Sequence, residues 1–85
     1  MKPLTTEETR NVILTATTLN ARKQHKEAIA LIRQSLNWID QDLRYNALKE
    51  IFNAALALDD MVLVKLTARE IAKEDPDMPS IQEYL

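Results

Sequence analysis

Few side chains in this sequence are suited to chemistry. Glycine and cysteine are absent, and His25 is the only histidine. The sequence therefore excludes glycine-dependent phosphate loops and nucleophile elbows, thiolate nucleophiles and cysteine zinc sites. His25 has no serine and acid partner and no second metal ligand one helical turn away, so we interpret it as a solvated residue near a helix start. We expect no catalysis, no bound metal and no cofactor.

Two acidic pairs, Asp40/Asp42 and Asp59/Asp60, offer oxygen ligands or paired carboxylates. Each pair stands where a helix is predicted to begin, and capping of that helix explains its position. Acid–base catalysis would need a carboxyl group with a raised pKa in a cleft, and residues in turns seldom provide that burial. The sequence thus favours helix capping over hydrolase chemistry.

One cluster of basic residues lies around the first predicted turn: Arg22, Lys23, His25, Lys26 and, further on, Arg33. A surface that binds nucleic acid is usually broader and carries an excess of basic over acidic residues. If helices two and three formed a helix-turn-helix, Asp40 and Asp42 would lie at the end that enters the groove and would repel phosphate. The sequence disfavours nucleic-acid binding.

Length and composition predict one domain spanning residues 1–85. Hydrophobic residues make up 46% of the chain, and the net charge is −2. The charge is unevenly placed, with six Lys/Arg against three Glu in residues 1–33 and five against ten Asp/Glu in residues 34–85. There is no run of roughly 20 apolar residues, and the opening residues turn polar where a signal peptide would be apolar. These features favour a cytoplasmic protein that does not enter a membrane.

Helical periodicity defines a first hairpin over about residues 6–38. Thr5 and Glu8 have the spacing of a capping box, which predicts a helix from about Thr6 to Ala21. Its expected buried stripe is Val12, Ile13, Ala16 and Leu19. A second helix is predicted from about His25 to Asn37, with Ala28, Ile29, Ile32, Ser35 and Leu36 facing inward.

A second hairpin is predicted over about residues 41–75, and residues 43–72 are its centre. Helix three runs from about Gln41 to Ala57 after a cap at Asp40, and helix four follows the Asp59-Asp60 turn to about Glu74. The apolar stripe of helix four is expected to contain Met61, Val64, Ala68, Ile71 and Ala72. Ser80 and Glu83 have capping-box spacing, which predicts a short terminal helix that covers one flank as a lid (residues 80–85). The fold class is therefore all-α, with two antiparallel hairpins and a short C-terminal helix.

The two hairpins form a weak repeat when the chain is shifted by 36 residues, which places Ala28 on Val64 and Ala16 on Phe52. The segments His25–Leu36 (HKEAIALIRQSL) and Ala68–Pro76 (AREIAKEDP) resemble the opening and the close of the second helix of a tetratricopeptide repeat. The resemblance covers about residues 9–76. It departs from the family in having Ala16 and Phe52 where a glycine is usual, and a generic helical bundle is the alternative.

One polar face of helix three carries Asn46, Lys49 and Asn53 at spacings i, i+3 and i+7. The resemblance implies that the first helix of each hairpin lines a groove for a partner's peptide. Some family members hold a peptide's terminal carboxylate with lysine and asparagine one turn apart, as Lys49 and Asn53 stand. In the 36-residue register, the same inner surface would include Arg10, Ile13, Thr17 and Asn20. A solvated helix face is the simpler interpretation.

Helix four carries more apolar residues than one stripe requires, and Val62, Leu63 and Leu66 are left over. The terminal lid, a second copy or a partner protein is expected to cover them. We therefore expect a non-catalytic adaptor that binds a peptide or helix of a partner protein. The alternative is a small self-associating assembly subunit, such as a homodimer, or a chaperone-like inhibitor.

Overall fold

The computed structural model describes residues 2–85, and it confirms the all-α class. Four α-helices follow one another, namely α1 (Thr6–Ala21), α2 (His25–Ser35), α3 (Arg44–Ala57) and α4 (Met61–Ala72). Helix α1 contacts α2 and α3, α2 also contacts α3, and α3 contacts α4. A terminal 3₁₀ helix (Pro79–Tyr84) contacts α4.

A capping box starts α1, as the sequence predicts. The Glu8 amide donates to the Thr5 hydroxyl and the Thr5 amide donates to the Glu8 carboxylate, both at 3.0 Å. These bonds satisfy amides that have no partner inside the helix. The cap fixes the first residue of α1, and both predicted ends of this helix are confirmed.

Both hairpin turns contain a residue in the left-handed region, although the chain has no glycine. Lys23 has φ 64° in the first turn and Asp59 has φ 57° in the second. Aspartate tolerates this region better than most residues, whereas a long side chain such as lysine accepts a steric cost. The two residues are 36 positions apart, as the sequence repeat requires.

The backbone hydrogen bonds of the turns repeat at the same spacing. The Gln24 amide donates to the Leu19 carbonyl at 2.8 Å, and the Asp60 amide donates to the Ala55 carbonyl at 3.0 Å. Donor and acceptor are both shifted by 36 residues. The internal repeat is therefore present in the backbone of the two turns.

The segment between the hairpins corrects two predicted helix ends. Helix α2 ends at Ser35 and gives way to a 3₁₀ turn over Leu36–Trp38, while a second 3₁₀ turn over Gln41–Leu43 precedes α3. Asp40 caps the second 3₁₀ turn, since its carboxylate accepts from the Asp42 amide at 3.0 Å. The predicted cap of α3 is therefore corrected: α3 begins after Leu43, and no side chain caps its start.

Long-range bonds hold this segment in place. The Asp40 amide donates to the Thr9 hydroxyl at 3.1 Å, and the Thr6 hydroxyl donates to the Asp40 carboxylate. The Leu4 amide donates to the Trp38 carbonyl at 2.6 Å. The start of α1 is thus attached to the α2–α3 connection.

The buried residues form one apolar cluster to which all four helices and the terminal 3₁₀ helix contribute. Helix α3 contributes most, with Ala47, Leu48, Ile51, Phe52, Ala54 and Ala55 buried. In α1 only Ala16 of the predicted stripe is fully buried, whereas Thr9, which was not expected inside, is 0% exposed. Met61 is exposed and does not belong to the α4 stripe.

The C-terminal segment covers a flank of the core, but without the predicted cap. It is a 3₁₀ helix that begins at Pro79, and no side chain caps its start, so the Ser80/Glu83 capping box is wrong. Ile81 is fully buried, while Leu85 stays exposed. The Tyr84 ring meets Phe52 edge to face, with ring centroids 5.8 Å apart.

Unfolding free energy is expected to fall in acid. The Thr5 backbone amide holds the pKa of Glu8 below its ordinary 4.5, and the Thr6 hydroxyl holds the pKa of Asp40 below its ordinary 3.8. A carboxyl group with a depressed folded pKa stabilises the fold fully above its ordinary value, and this contribution is lost as the pH falls through the folded value.

Urea midpoints measured between about pH 6 and pH 2 should show this loss. The double variant Glu8→Gln/Asp40→Asn should have a flatter profile, whereas the exposed control Asp77→Asn should follow the unmodified protein. An equally steep profile in the double variant would contradict the assignment.

Candidate functional site

A groove opens between α1 and the start of α3. We call it the α1–α3 groove, and its lining residues are Arg10, Ile13, Leu14, Leu43 and Asn46. Its volume is about 210 Å³. Ile13, Leu14 and Leu43 give it apolar surface, and the exposed residues Arg10 and Asn46 add a guanidinium and an amide. This arrangement suits an apolar side chain with a polar group beside it.

Three residues predicted for the inner surface, Arg10, Ile13 and Asn46, come together in this groove. Sequence reasoning missed Leu14, which is 63% exposed although it is a large apolar residue. Leu14 follows Arg10 by four residues, so a search for apolar residues on the polar face would have found it. Its exposure leaves a large apolar side chain uncovered beside the groove.

Lys49 and Asn53 continue the face of Asn46 along α3 but do not line the groove. The Lys49 ammonium lies 5.3 Å from the centroid of the Tyr45 ring, a cation–π distance. The Tyr45 hydroxyl donates to the Asp75 carboxylate at 3.1 Å. Burial and then this carboxylate raise the pKa of Tyr45. Lys49 is thus positioned by an anchored ring, while Asn53 remains exposed.

The other two predicted residues, Thr17 and Asn20, hold Glu50 of α3. The Thr17 hydroxyl donates to one Glu50 carboxylate oxygen and the Asn20 amide donates to the other, both at 2.9 Å. The Asn20 amide also approaches the Glu50 carbonyl at 3.3 Å. These bonds join α1 to α3, so this part of the predicted surface is internally satisfied.

His25 belongs to the same network. Its Nδ1 lies 2.8 Å from Asn20 Oδ1. Because the Asn20 nitrogen donates to Glu50, its oxygen is the acceptor, and His25 Nδ1 therefore carries the hydrogen. His25 is not a solvated residue, since it links the start of α2 to the α1–α3 contact.

Removing the Glu50 carboxylate is expected to destabilise the fold. Glu50→Ala deletes two side-chain hydrogen bonds to a charged acceptor and leaves the half-buried Asn20 without that partner, at a cost of about 1–2 kcal/mol. Urea unfolding followed by circular dichroism would measure it. The exposed Glu27→Ala on α2 is a matched control, and equal midpoints for the two variants would refute the role of Glu50.

The three apolar residues that the sequence left over on helix four, Val62, Leu63 and Leu66, differ in exposure in the structure. Val62 is 72% exposed and Leu66 is 51% exposed, as expected of an uncovered face. Leu63 is a correction: it is 9% exposed and belongs to the core. Of these three residues, Val62 and Leu66 are therefore the ones left exposed.

Comparison with models of protein families, with characterised proteins and with solved structures found no match to this chain. Within residues 2–85, no helix is both long and apolar enough to cross a membrane. In that same part of the chain, no three histidine, aspartate or glutamate side chains cluster as metal ligands would.

Proposed function

We propose that this chain is a non-catalytic protein-interaction module that binds a peptide or helix of a partner protein in the α1–α3 groove. The observation that carries the proposal is the 63% exposure of Leu14 at the edge of a groove that also contains Ile13 and Leu43. An exposed leucine beside an apolar groove loses unfavourable contact with water when a ligand side chain covers it.

The polar residues around the groove define the chemistry of the ligand. Arg10 and Asn46 are exposed and line the groove, and Lys49 and Asn53 follow along α3. Guanidinium, amide and ammonium groups donate hydrogen bonds to carboxylates and to backbone carbonyls. The expected ligand is therefore a segment with one apolar anchor next to an acidic or terminal carboxyl group.

The internal repeat supports a tetratricopeptide-like module within this proposal. The equivalent turns at Lys23 and Asp59 and the contact between α1 and α3 agree with two stacked helical hairpins. In such an arrangement the first helices of successive hairpins lie side by side and form the peptide surface. A cytoplasmic adaptor is the role we assign to it.

The test is selection of displayed random peptides on the purified protein, followed by synthesis of the enriched sequences. Amide chemical-shift changes on peptide addition should centre on Arg10, Leu14 and Asn46. The enriched peptides should share an apolar residue beside a carboxyl group. No enrichment, or shifts confined to α4, would refute the groove as the site.

The second candidate function is a small assembly subunit that associates with itself through α4. The exposure of Val62 and Leu66 favours it, because two large apolar side chains one turn apart are left in water. This face and the α1–α3 groove share no residue, so each candidate can fail without the other.

A further inference from the structure

The exposed face of α4 differs from the equivalent face of α2 in a specific way. In the 36-residue register, Val62 falls on Lys26 and Leu66 falls on Ala30. Lys26 and Ala30 are both exposed. Both positions are therefore exposed in each hairpin, but only α4 has large apolar side chains there.

Charged residues stand at both ends of this pair. Asp59 lies before Val62, and Arg69 lies beyond Leu66. Both side chains are exposed, and the one ion pair within residues 2–85 joins Glu70 to Lys73 instead. The face thus runs from an acidic group through two apolar groups to a basic group.

We propose that α4 pairs antiparallel with α4 of a second copy of this chain, about a two-fold axis at the level of Val64. This inference rests on the second candidate function and names its geometry. At a rise of about 1.5 Å per residue, positions 62 and 66 of α4 are equally far from the axis. Asp59 lies in the turn just before α4 and Arg69 lies in its last turn, so the antiparallel pair brings the acidic end of one helix beside the basic end of the other. Val62 then packs against Leu66 of the second copy.

Charge complementarity selects this partner. In the antiparallel register Asp59 faces Arg69 of the second copy, and symmetry forms the pair twice. The first hairpin lacks this complementarity, because the positions equivalent to Asp59 and Arg69 are Lys23 and Arg33. Two copies of α2 paired in the same way would bring lysine against arginine. The α4 face is therefore self-complementary where the α2 face repels itself.

The experiment measures molecular mass by sedimentation equilibrium, at concentrations up to about 100 μM because the contact is small. Asp59→Lys and Arg69→Glu each place like charges together, and their combination restores opposite charges. Lys23 shows that a lysine is accommodated at the left-handed position equivalent to Asp59. Lys26→Glu is the control, a charge reversal on the exposed face of α2.

The unmodified protein and the Lys26→Glu control should dimerise, each single α4 variant should weaken dimerisation at least tenfold, and the double charge swap should recover it. Val62→Lys, which gives α4 the side chain of the equivalent α2 position, should also give monomers. A wild-type protein that stays monomeric would overturn self-association itself. A dimer indifferent to all these changes, or one not rescued by the double swap, would overturn this geometry and leave self-association standing.

Discussion

Replacing Phe52 with alanine is expected to remove about 3–5 kcal/mol from the free energy of unfolding. Phe52 is 2% exposed and is the largest fully buried side chain among the residues described. A chain of 85 residues holds only about 4–13 kcal/mol at the usual stability per residue. The substitution therefore removes a large part of the total, because a cavity opens where α3 meets the terminal 3₁₀ helix.

Urea unfolding followed by circular dichroism would measure this loss. Phe52→Leu keeps most of the apolar volume and should cost much less, and Leu14→Ala should be near neutral because Leu14 is exposed. A Phe52→Ala midpoint equal to that of Leu14→Ala would contradict the assignment of Phe52 to the core.

Tyrosine titration gives a second readout of the same substitution. Burial, followed by the nearby Glu83, raises the pKa of Tyr84 above its ordinary value. Because Tyr84 rests edge to face on Phe52, removal of the Phe52 ring should loosen the terminal helix and return that pKa toward 10.0. Tyr45, which bonds to Asp75 instead, should keep its raised pKa.

Local signals made the helices predictable from the sequence. The start of α1 followed from the Thr5/Glu8 capping box. The sequence predicted either Asp59 or Asp60 as the cap of α4, and the structure shows Asp60, whose carboxylate accepts from the Leu63 amide at 3.2 Å. Each of these hydrogen bonds joins residues three positions apart, so both caps can be predicted from the local sequence. The 36-residue shift also aligned the two turns correctly.

Long-range interactions could not be read from local spacing. The 3₁₀ turns on either side of Asp40 depend on bonds from Thr6 and Thr9 of α1. Thr9 is buried, and its hydroxyl accepts a hydrogen bond from the Asp40 amide. Threonine is a poor helix former, and nothing in the sequence around Thr9 indicates this partner 31 residues away. Leu63 and Leu66 look alike in the sequence, yet Leu63 is 9% exposed and Leu66 is 51% exposed.

The candidate site was predictable to a similar extent. Helical spacing placed Arg10, Ile13, Thr17 and Asn20 on one face of α1, and the structure divides that face between two roles. Glu50 occupies the polar groups of Thr17 and Asn20, and no spacing within α1 reveals a partner on α3. The other half of that face, Arg10 and Ile13, is recognised as part of a groove only once the exposure of Leu14 is known.

Replacing Leu14 with glutamate is expected to weaken binding of the selected peptide about 10- to 100-fold. Burial of a leucine side chain contributes about 1.5–3 kcal/mol, and a change of about 1.4 kcal/mol is a tenfold change in Kd. The introduced carboxylate also repels the acidic group expected in the ligand. Fluorescence anisotropy with a labelled peptide measures the change, and Leu14→Met, which keeps the apolar volume, is the matched control.

The same variant separates the two surfaces of the molecule. Leu14 lies in the groove between α1 and α3, whereas Val62 lies on the exposed face of α4, and neither face includes a residue of the other. Leu14→Glu should therefore leave the molecular mass in solution unchanged, and Val62→Lys should leave the peptide Kd unchanged. Loss of both properties in either variant, with the helical circular dichroism intact, would mean that one shared surface performs both functions and that the groove is not an independent site.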